Sequence, residues 1–266
     1  MHSRDDRTWS PTVIAHRGIS AHYPENTAPA FAAAEEAGIA GIELDLQISR
    51  DGVVVIYHDH KMAKLGLSTQ HLREYDWSRL ARCDAGRWKG EAFAGTPLLR
   101  LDEVLQRWGG KLQLLLEIKA HGRGRRGSRD MELAEAAMEL LLAAPAAVRE
   151  RSAILCFSQA VLDRVGAICA DAGQPPPQRV RNLVHPGELR ATRGAELESC
   201  SAICVDINRF GVADVLRIRR AGKPLYAYTV DTRQQVLHAH ALGCSLLICN
   251  DPVRVRGLIQ ELALSA

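Results

Sequence analysis

Short β-branched or apolar runs alternate with helix-periodic segments almost to the end of the chain, and this rhythm restricts the fold more than any other feature. Strands are predicted over Thr12–His16, Gly41–Ile48 with a return strand Val53–His58, Leu112–Lys119, Ala153–Phe157, Arg179–Val184, Ala202–Asp206, Leu225–Val230 and Ser245–Cys249. Helices are predicted over Thr27–Ala37, Leu101–Trp108, Met131–Ala143, Gln159–Ala172, Pro186–Thr192, Val212–Ala221, Arg233–Leu242 and Pro252–Leu264. With the return strand counted as an extension of its partner, eight strands remain, each followed sooner or later by a helix. Repeated βα units imply a parallel sheet, and eight of them close it into a TIM (β/α)8 barrel. An open doubly wound sheet is the alternative, but the first βα turn carries no Gly-rich nucleotide fingerprint. The length of 266 residues suits one α/β barrel domain spanning 1–266.

The rhythm breaks once. Between His58 and Leu101 lies a weakly periodic stretch with Trp77, Trp88 and Phe93, too long for an ordinary βα loop. It is predicted as a small insertion after the second strand and its hairpin, at about residues 60–100. It either packs over the barrel mouth in a functional role or forms a lobe with its own small aromatic core. A second irregular stretch, His121 to Arg129, is Gly-rich and basic and is predicted as a mobile loop. Its arginines either attract an anionic ligand or merely face water.

Composition removes several classes of function. A net charge of +3 is too small to indicate nucleic-acid binding. No apolar run approaches the roughly 20 residues that span a bilayer, so no stable membrane insertion is expected. Met1 to Pro11 is polar and of mixed charge, unlike a signal peptide. Seven cysteines without a C-x-x-C pair read as reduced thiols, and a cytoplasmic location is expected. A monomer or homodimer is anticipated.

Chemistry concentrates in residues 43–59. Asp51-Gly52 between two β-branched runs predicts a two-residue hairpin turn with positive φ at both central residues. That turn would pair Arg50 with Val53 and set His58 directly opposite Asp45, with Glu43 on the same face. Charges on a hairpin ordinarily mark its wet side. Here they recur at other strand ends, where βα barrels build their sites. The first strand ends His16-Arg17-Gly18, and the third barrel strand ends Glu117-Ile118-Lys119.

Buried carboxylates without partners are costly, so Glu43, Asp45 and Glu117 make sense around a cation. An all-oxygen ligand set favours one divalent cation, Mg²⁺ or Ca²⁺, over zinc. Arg17 and Lys119 would supply positive charge for a phosphate group. His16 and His58 would flank the phosphorus, one accepting a proton and the other donating one. The set describes metal-assisted phosphoester cleavage. Its bland alternatives are a rim salt bridge at His16-Arg17 and a simple cross-strand pair at Glu117 and Lys119.

These motifs resemble the glycerophosphodiester phosphodiesterase family. The matching stretches are Ile14–Gly18, Pro24–Thr27, Glu43-Leu44-Asp45 through Asp51-Gly52 to His58-Asp59, and Leu116–Lys119. Weaker matches are Asp84–Gly86 with Trp88, Cys156-Phe157-Ser158, Tyr228–Asp231 and Asn250-Asp251-Pro252. The resemblance spans roughly residues 12–255. It implies a βα barrel with a small inserted lobe, a divalent cation, and hydrolysis of small glycerophosphodiesters to glycerol 3-phosphate and an alcohol. It also implies His16 and His58 as the general acid/base pair, and Glu43, Asp45 and Glu117 as metal ligands. Arg17 and Lys119 would be phosphate contacts, with Phe157 and Tyr228 as further substrate contacts. A lysophospholipase D-type or sugar-phosphodiester hydrolase with the same chemistry is the alternative, and a non-catalytic sensor of phosphorylated metabolites is a more distant one. Asn26 reads as the N-cap of the following helix.

The chain departs from the family pattern in three places. An Arg-Thr-Thr-Gly-like run is replaced by Lys64–Thr69. The late Trp-Thr-Val-Asn becomes Tyr228-Thr229-Val230-Asp231, and Thr-Asp-x-Pro becomes Cys249-Asn250-Asp251-Pro252. Asp231 would either discriminate among head groups by charge or cap the next helix.

Overall fold

The computed structural model describes residues 9–67, 70–120 and 125–264. Eight parallel strands form its centre: β1 (Thr12–His16), β2 (Gly41–Ile48), β5 (Gln113–Ile118), β6 (Ser152–Cys156), β7 (Gln178–Leu183), β8 (Ala202–Asp206), β9 (Leu225–Tyr228) and β10 (Leu246–Cys249). Pairing of β1 with both β10 and β2 closes the sheet. The result is the TIM barrel expected from the βα rhythm. Two short strands, β3 (Val54–Ile56) and β4 (Leu99–Arg100), extend β2 antiparallel outside the ring.

Alternation along each strand separates two cores. Ile14, Leu115, Leu155, Val180, Cys204, Tyr226 and Ile248 meet inside the barrel. Residues of opposite parity, such as Ile42, Leu44, Leu116 and Ile154, pack outward against the helices. Two positions beyond the inner apolar residues the side chains turn polar or aromatic: His16, Glu117, Phe157, Asn182, Asp206 and Tyr228. Period two therefore lifts a polar layer onto an apolar plug at the C-terminal mouth.

The hairpin differs from expectation by one residue. Leu46 pairs with Ile56 and Ile48 with Val54, so Tyr57, not His58, stands opposite Asp45; the Tyr57 backbone N–H donates to Asp45 O at 2.9 Å. The loop has three residues, Arg50–Gly52, and only Gly52 has positive φ, at +86°. Ser49 selects it: its hydroxyl donates to Asp51 Oδ1 at 2.6 Å and accepts the Val53 N–H at 2.9 Å. A one-residue slip would turn His58 to the other face if pairing continued, but β3 stops at Ile56.

Between β3 and β4 the chain forms short helical turns over a core of Val55, Tyr57, Met62, Leu65, Leu72, Leu80 and Leu98. That core is mainly aliphatic, not aromatic. Trp77 packs on its edge, Phe93 stacks edge-on against Tyr23, and Trp88 is 38% exposed. The basic stretch predicted as a loop is also corrected in part. A helix runs Arg125–Ala143, so Arg125 to Arg129 are its first turns, while residues 121–124 lie outside the described residues. Among the described residues, no helix is long and apolar enough to cross a membrane.

Candidate active site and metal centre

Parallel registry assembles the carboxylates. His16 aligns with Glu43 across β1–β2, and Asp45 aligns with Glu117 across β2–β5. One oxygen from each of Glu43, Asp45 and Glu117 lies within 4.8 Å of the others. Their exposures are only 2%, 0% and 8%. Two cations stand among them. Lys119 Nζ lies 2.8 Å from Asp45 Oδ1 and also contacts Glu117 Oε1, while Arg17 Nε lies 3.1 Å from Asp45 Oδ2. Three buried negative charges against two positive ones leave a deficit. It falls on Glu43, whose Oε1 is buried without a hydrogen-bond partner.

The titration directions carry the same message. Burial, with the charges of Asp45 and Glu117, pushes the Glu43 carboxyl well above its ordinary range. Burial also raises Glu117, against the pull of Lys119. Asp45 goes the other way: burial opposes ionisation there, but Lys119 and Arg17 hold the carboxyl well below the usual range. A dication among the three would satisfy the orphaned oxygen and suits an all-oxygen donor set. The residues fit the metal the sequence implies.

Asn26 is not the N-cap expected of it. Thr27 holds that position for the helix Ala28–Glu36. Asn26 instead adopts φ +58°, donates from Nδ2 to Asp45 Oδ2 at 2.8 Å, and accepts the Asp45 N–H at 3.3 Å. On the opposite side, Asn182 Nδ2 donates to Glu117 Oε2 at 3.3 Å. Neither amide stood out as a site residue in the sequence, although Asn182 carries the right parity at a strand end.

The two histidines stand on different supports. His16 Nδ1 lies 2.7 Å from Asn250 Oδ1, and its Nε2 lies 3.8 Å from Glu43 Oε2. Burial, reinforced by Arg17, pushes this imidazole down to about 4. His58 Nδ1 lies 2.9 Å from Asp59 Oδ1. Asp59 in turn pairs with Lys64 at 3.1 Å, Lys64 with Glu25 at 2.8 Å, and Glu25 with Arg17 at 3.1 Å. An ion-pair chain thus ties His58 to the carboxylate side of the site, and His58 is within electrostatic reach of Asp45. Glu25, His58 and Asp59 also approach within 4.8 Å of one another, but the Lys64 ammonium already pairs with both carboxylates there. Phe157 and Tyr228 meet edge to face at 6.1 Å, and the Tyr228 hydroxyl donates to Leu183 O at 3.1 Å. All nine residues singled out in the sequence therefore belong to the C-terminal mouth of the barrel, though the chain reaches His58 only after leaving the hairpin.

A profile of the glycerophosphoryl diester phosphodiesterase family matches residues 16–254. The chain belongs to that family. Among curated relatives, a glycerophosphodiester phosphodiesterase of Caldanaerobacter subterraneus is 40% identical over 109 residues, covering 41% of this chain and 45% of the relative. One from Bacillus subtilis is 30% identical over 116 residues, covering 41% and 40%. The chain thus spans less than half the length of these relatives in the matched region. Solved structures match throughout. An Oleispira antarctica phosphodiesterase, in complex with the product sn-glycerol-3-phosphate, superposes with a TM-score of 0.79 at 25% identity, covering 94% of this chain and 97% of that one. The glycerophosphodiester phosphodiesterase of Thermotoga maritima shares the fold, with a TM-score of 0.68 at 21% identity over 95% and 98%.

Asp231 does not cap the helix after it. Thr232 does, accepting the Gln235 N–H on its hydroxyl at 3.3 Å. Asp231 binds Asn250 instead.

Proposed function

We propose that the chain hydrolyses glycerophosphodiesters to glycerol 3-phosphate and an alcohol at the Glu43–Asp45–Glu117 centre, with one divalent cation, Mg²⁺ or Ca²⁺. The observation that carries this reading is the buried carboxylate trio with an unpartnered Glu43 oxygen, beside His16 and two fixed cations. When bound there, a divalent cation would polarise a phosphoryl oxygen and offset the carboxylate charge. Arg17 and Lys119 add positive charge for the phosphate oxygens as negative charge grows on them.

His16, neutral and engaged through Nδ1, accepts a proton at Nε2 from the attacking hydroxyl or water. His58, oriented through Nδ1 by Asp59, delivers a proton from Nε2 to the departing alcohol oxygen. Phe157 and Tyr228 line the mouth beside the glycerol portion. A small polar alcohol is favoured over an acyl chain. Of the aromatic residues that could have greeted a lipid, Trp77 packs on the small core and Phe93 on Tyr23, which leaves only Trp88, with the Lys64 ammonium 4.3 Å from its ring centre.

The test is a panel of glycerophosphodiesters and lysophospholipids, assayed in EDTA and with each cation restored. Glycerol 3-phosphate should appear from glycerophosphodiesters only with cation present. Cleavage of lysophospholipids alone, to lysophosphatidic acid and the free alcohol, would transfer the proposal to the lysophospholipase D type.

A further inference from the structure

Given the reading of His16 as a proton acceptor, we propose that Asp231 and Asn250 form a positioning pair that holds the His16 ring with hydrogen on Nδ1 and the lone pair on Nε2. Two loops and a neighbouring strand end bring the residues together. Asp231 follows β9, Asn250 follows β10, and His16 ends β1, which pairs with β10.

The chain of donors and acceptors has one consistent direction. Asp231 Oδ1 accepts the backbone N–H groups of Asn250 at 2.7 Å and Asp251 at 3.2 Å. Asp231 Oδ2 accepts the Asn250 side-chain amide at 2.7 Å. A carboxylate can only accept, so the Asn250 nitrogen must face Asp231 and its oxygen must face away. That oxygen accepts the Ser20 hydroxyl at 3.0 Å and meets His16 Nδ1 at 2.7 Å. An amide oxygen likewise only accepts, so the hydrogen sits on Nδ1. Nε2 is left as the acceptor, on the side of Glu43.

An amide at position 231 with an acid at position 250 would reverse the order found in this chain. Either order leaves an acceptor oxygen against His16 Nδ1. A single exchange does not. In Asp231→Asn, the new amide must keep its oxygen for the two backbone donors and turn its NH₂ toward the NH₂ of Asn250. Asn250 relieves that clash by rotating, which presents NH₂ to His16 Nδ1 and sends the ring hydrogen to Nε2.

Ring ¹⁵N shifts of His16 read the tautomer directly, assigned by their loss in His16→Gln. They are recorded on the full chain with Mg²⁺ at about pH 8, above the ordinary histidine range. The wild type should carry hydrogen on Nδ1, Asp231→Asn should carry it on Nε2, and the double exchange Asp231→Asn with Asn250→Asp should return it to Nδ1. In parallel, kcat should fall on the order of 100-fold in the single variant, with KM changed less than about threefold, and largely recover in the double variant. A wild-type spectrum with hydrogen on Nε2 would overturn the proposal, even if the single variant failed to fold. A folded Asp231→Asn with an unchanged tautomer would also overturn it. The expected tautomers in a protein that hydrolyses no glycerophosphodiester would support the pair while removing the proposed function.

Discussion

Asn26 and Asp45 grip each other at both ends. The Asn26 amide donates to the Asp45 carboxylate at 2.8 Å, and the Asp45 backbone donates back to the Asn26 oxygen at 3.3 Å. This carboxylate of the trio is thereby fixed by a residue 19 positions earlier, on the loop after β1. Removing the amide should loosen Asp45 without removing a charge. Asn26→Gly keeps the left-handed backbone that φ +58° requires, so its effect isolates the side chain. Cation affinity or kcat/KM should drop about 10–100-fold. Cation titration and steady-state kinetics check this, and wild-type values would show the grip to be incidental.

Lys64 links Asp59, and through it His58, to Glu25 and Arg17. Its ammonium is partly exposed, so each pair is screened by water. Lys64→Ala should lower kcat by less than about tenfold, and Lys64→Arg should retain most of it. Steady-state kinetics on both variants separate loss of charge from loss of one geometry.

Gly41 pairs with Gln113 where β2 and β5 begin. A Cβ there would sit 2.3 Å from the Gln113 carbonyl oxygen. Gly41→Ala should cost about 1–3 kcal/mol of stability through this overlap. The same displacement moves Asp45 relative to Glu117, four residues along the paired strands. Denaturant midpoints and cation affinity should therefore fall together.

Asp84 organises the turn that leads into Trp88, accepting backbone N–H groups from Gly95 at 2.8 Å, Arg87 at 2.9 Å and Gly86 at 2.9 Å. Those donors, Gly95 foremost, hold its carboxyl well below the ordinary range. A folded-state pKa below the unfolded one means the stabilisation is complete above the unfolded value, near 3.9, and is lost as pH falls through the folded value. Asp84→Ala should lower Tm at neutral pH, and the gap to wild type should shrink in strong acid. Thermal melts at both pH values check the sign.

The barrel was legible because burial on both faces makes its strands short apolar runs punctuated by helices, and eight such units have few ways to close. Strand-end parity similarly exposed Glu43, Asp45 and Glu117. The hairpin register was not legible, since Asp51-Gly52 suits a two-residue or a three-residue loop and only the Ser49 hydroxyl decides between them. The cap readings of Asn26 and Asp231 fail for a related reason. Their local sequence fits a helix cap, whereas their partners, Asp45 and Asn250, are each 19 residues away. Basic Gly-rich sequence at Arg125–Arg129 suggested a loop, yet the following helix extends back through it.

Calorimetric titration of the EDTA-stripped chain with Mg²⁺ and Ca²⁺, run beside turnover of a glycerophosphodiester, reaches the central claim most directly. One saturable site should appear in the wild type, with activity returning over the same concentration range, and both should vanish in Glu43→Gln. Full turnover in EDTA, or an unchanged site in Glu43→Gln, would contradict the account.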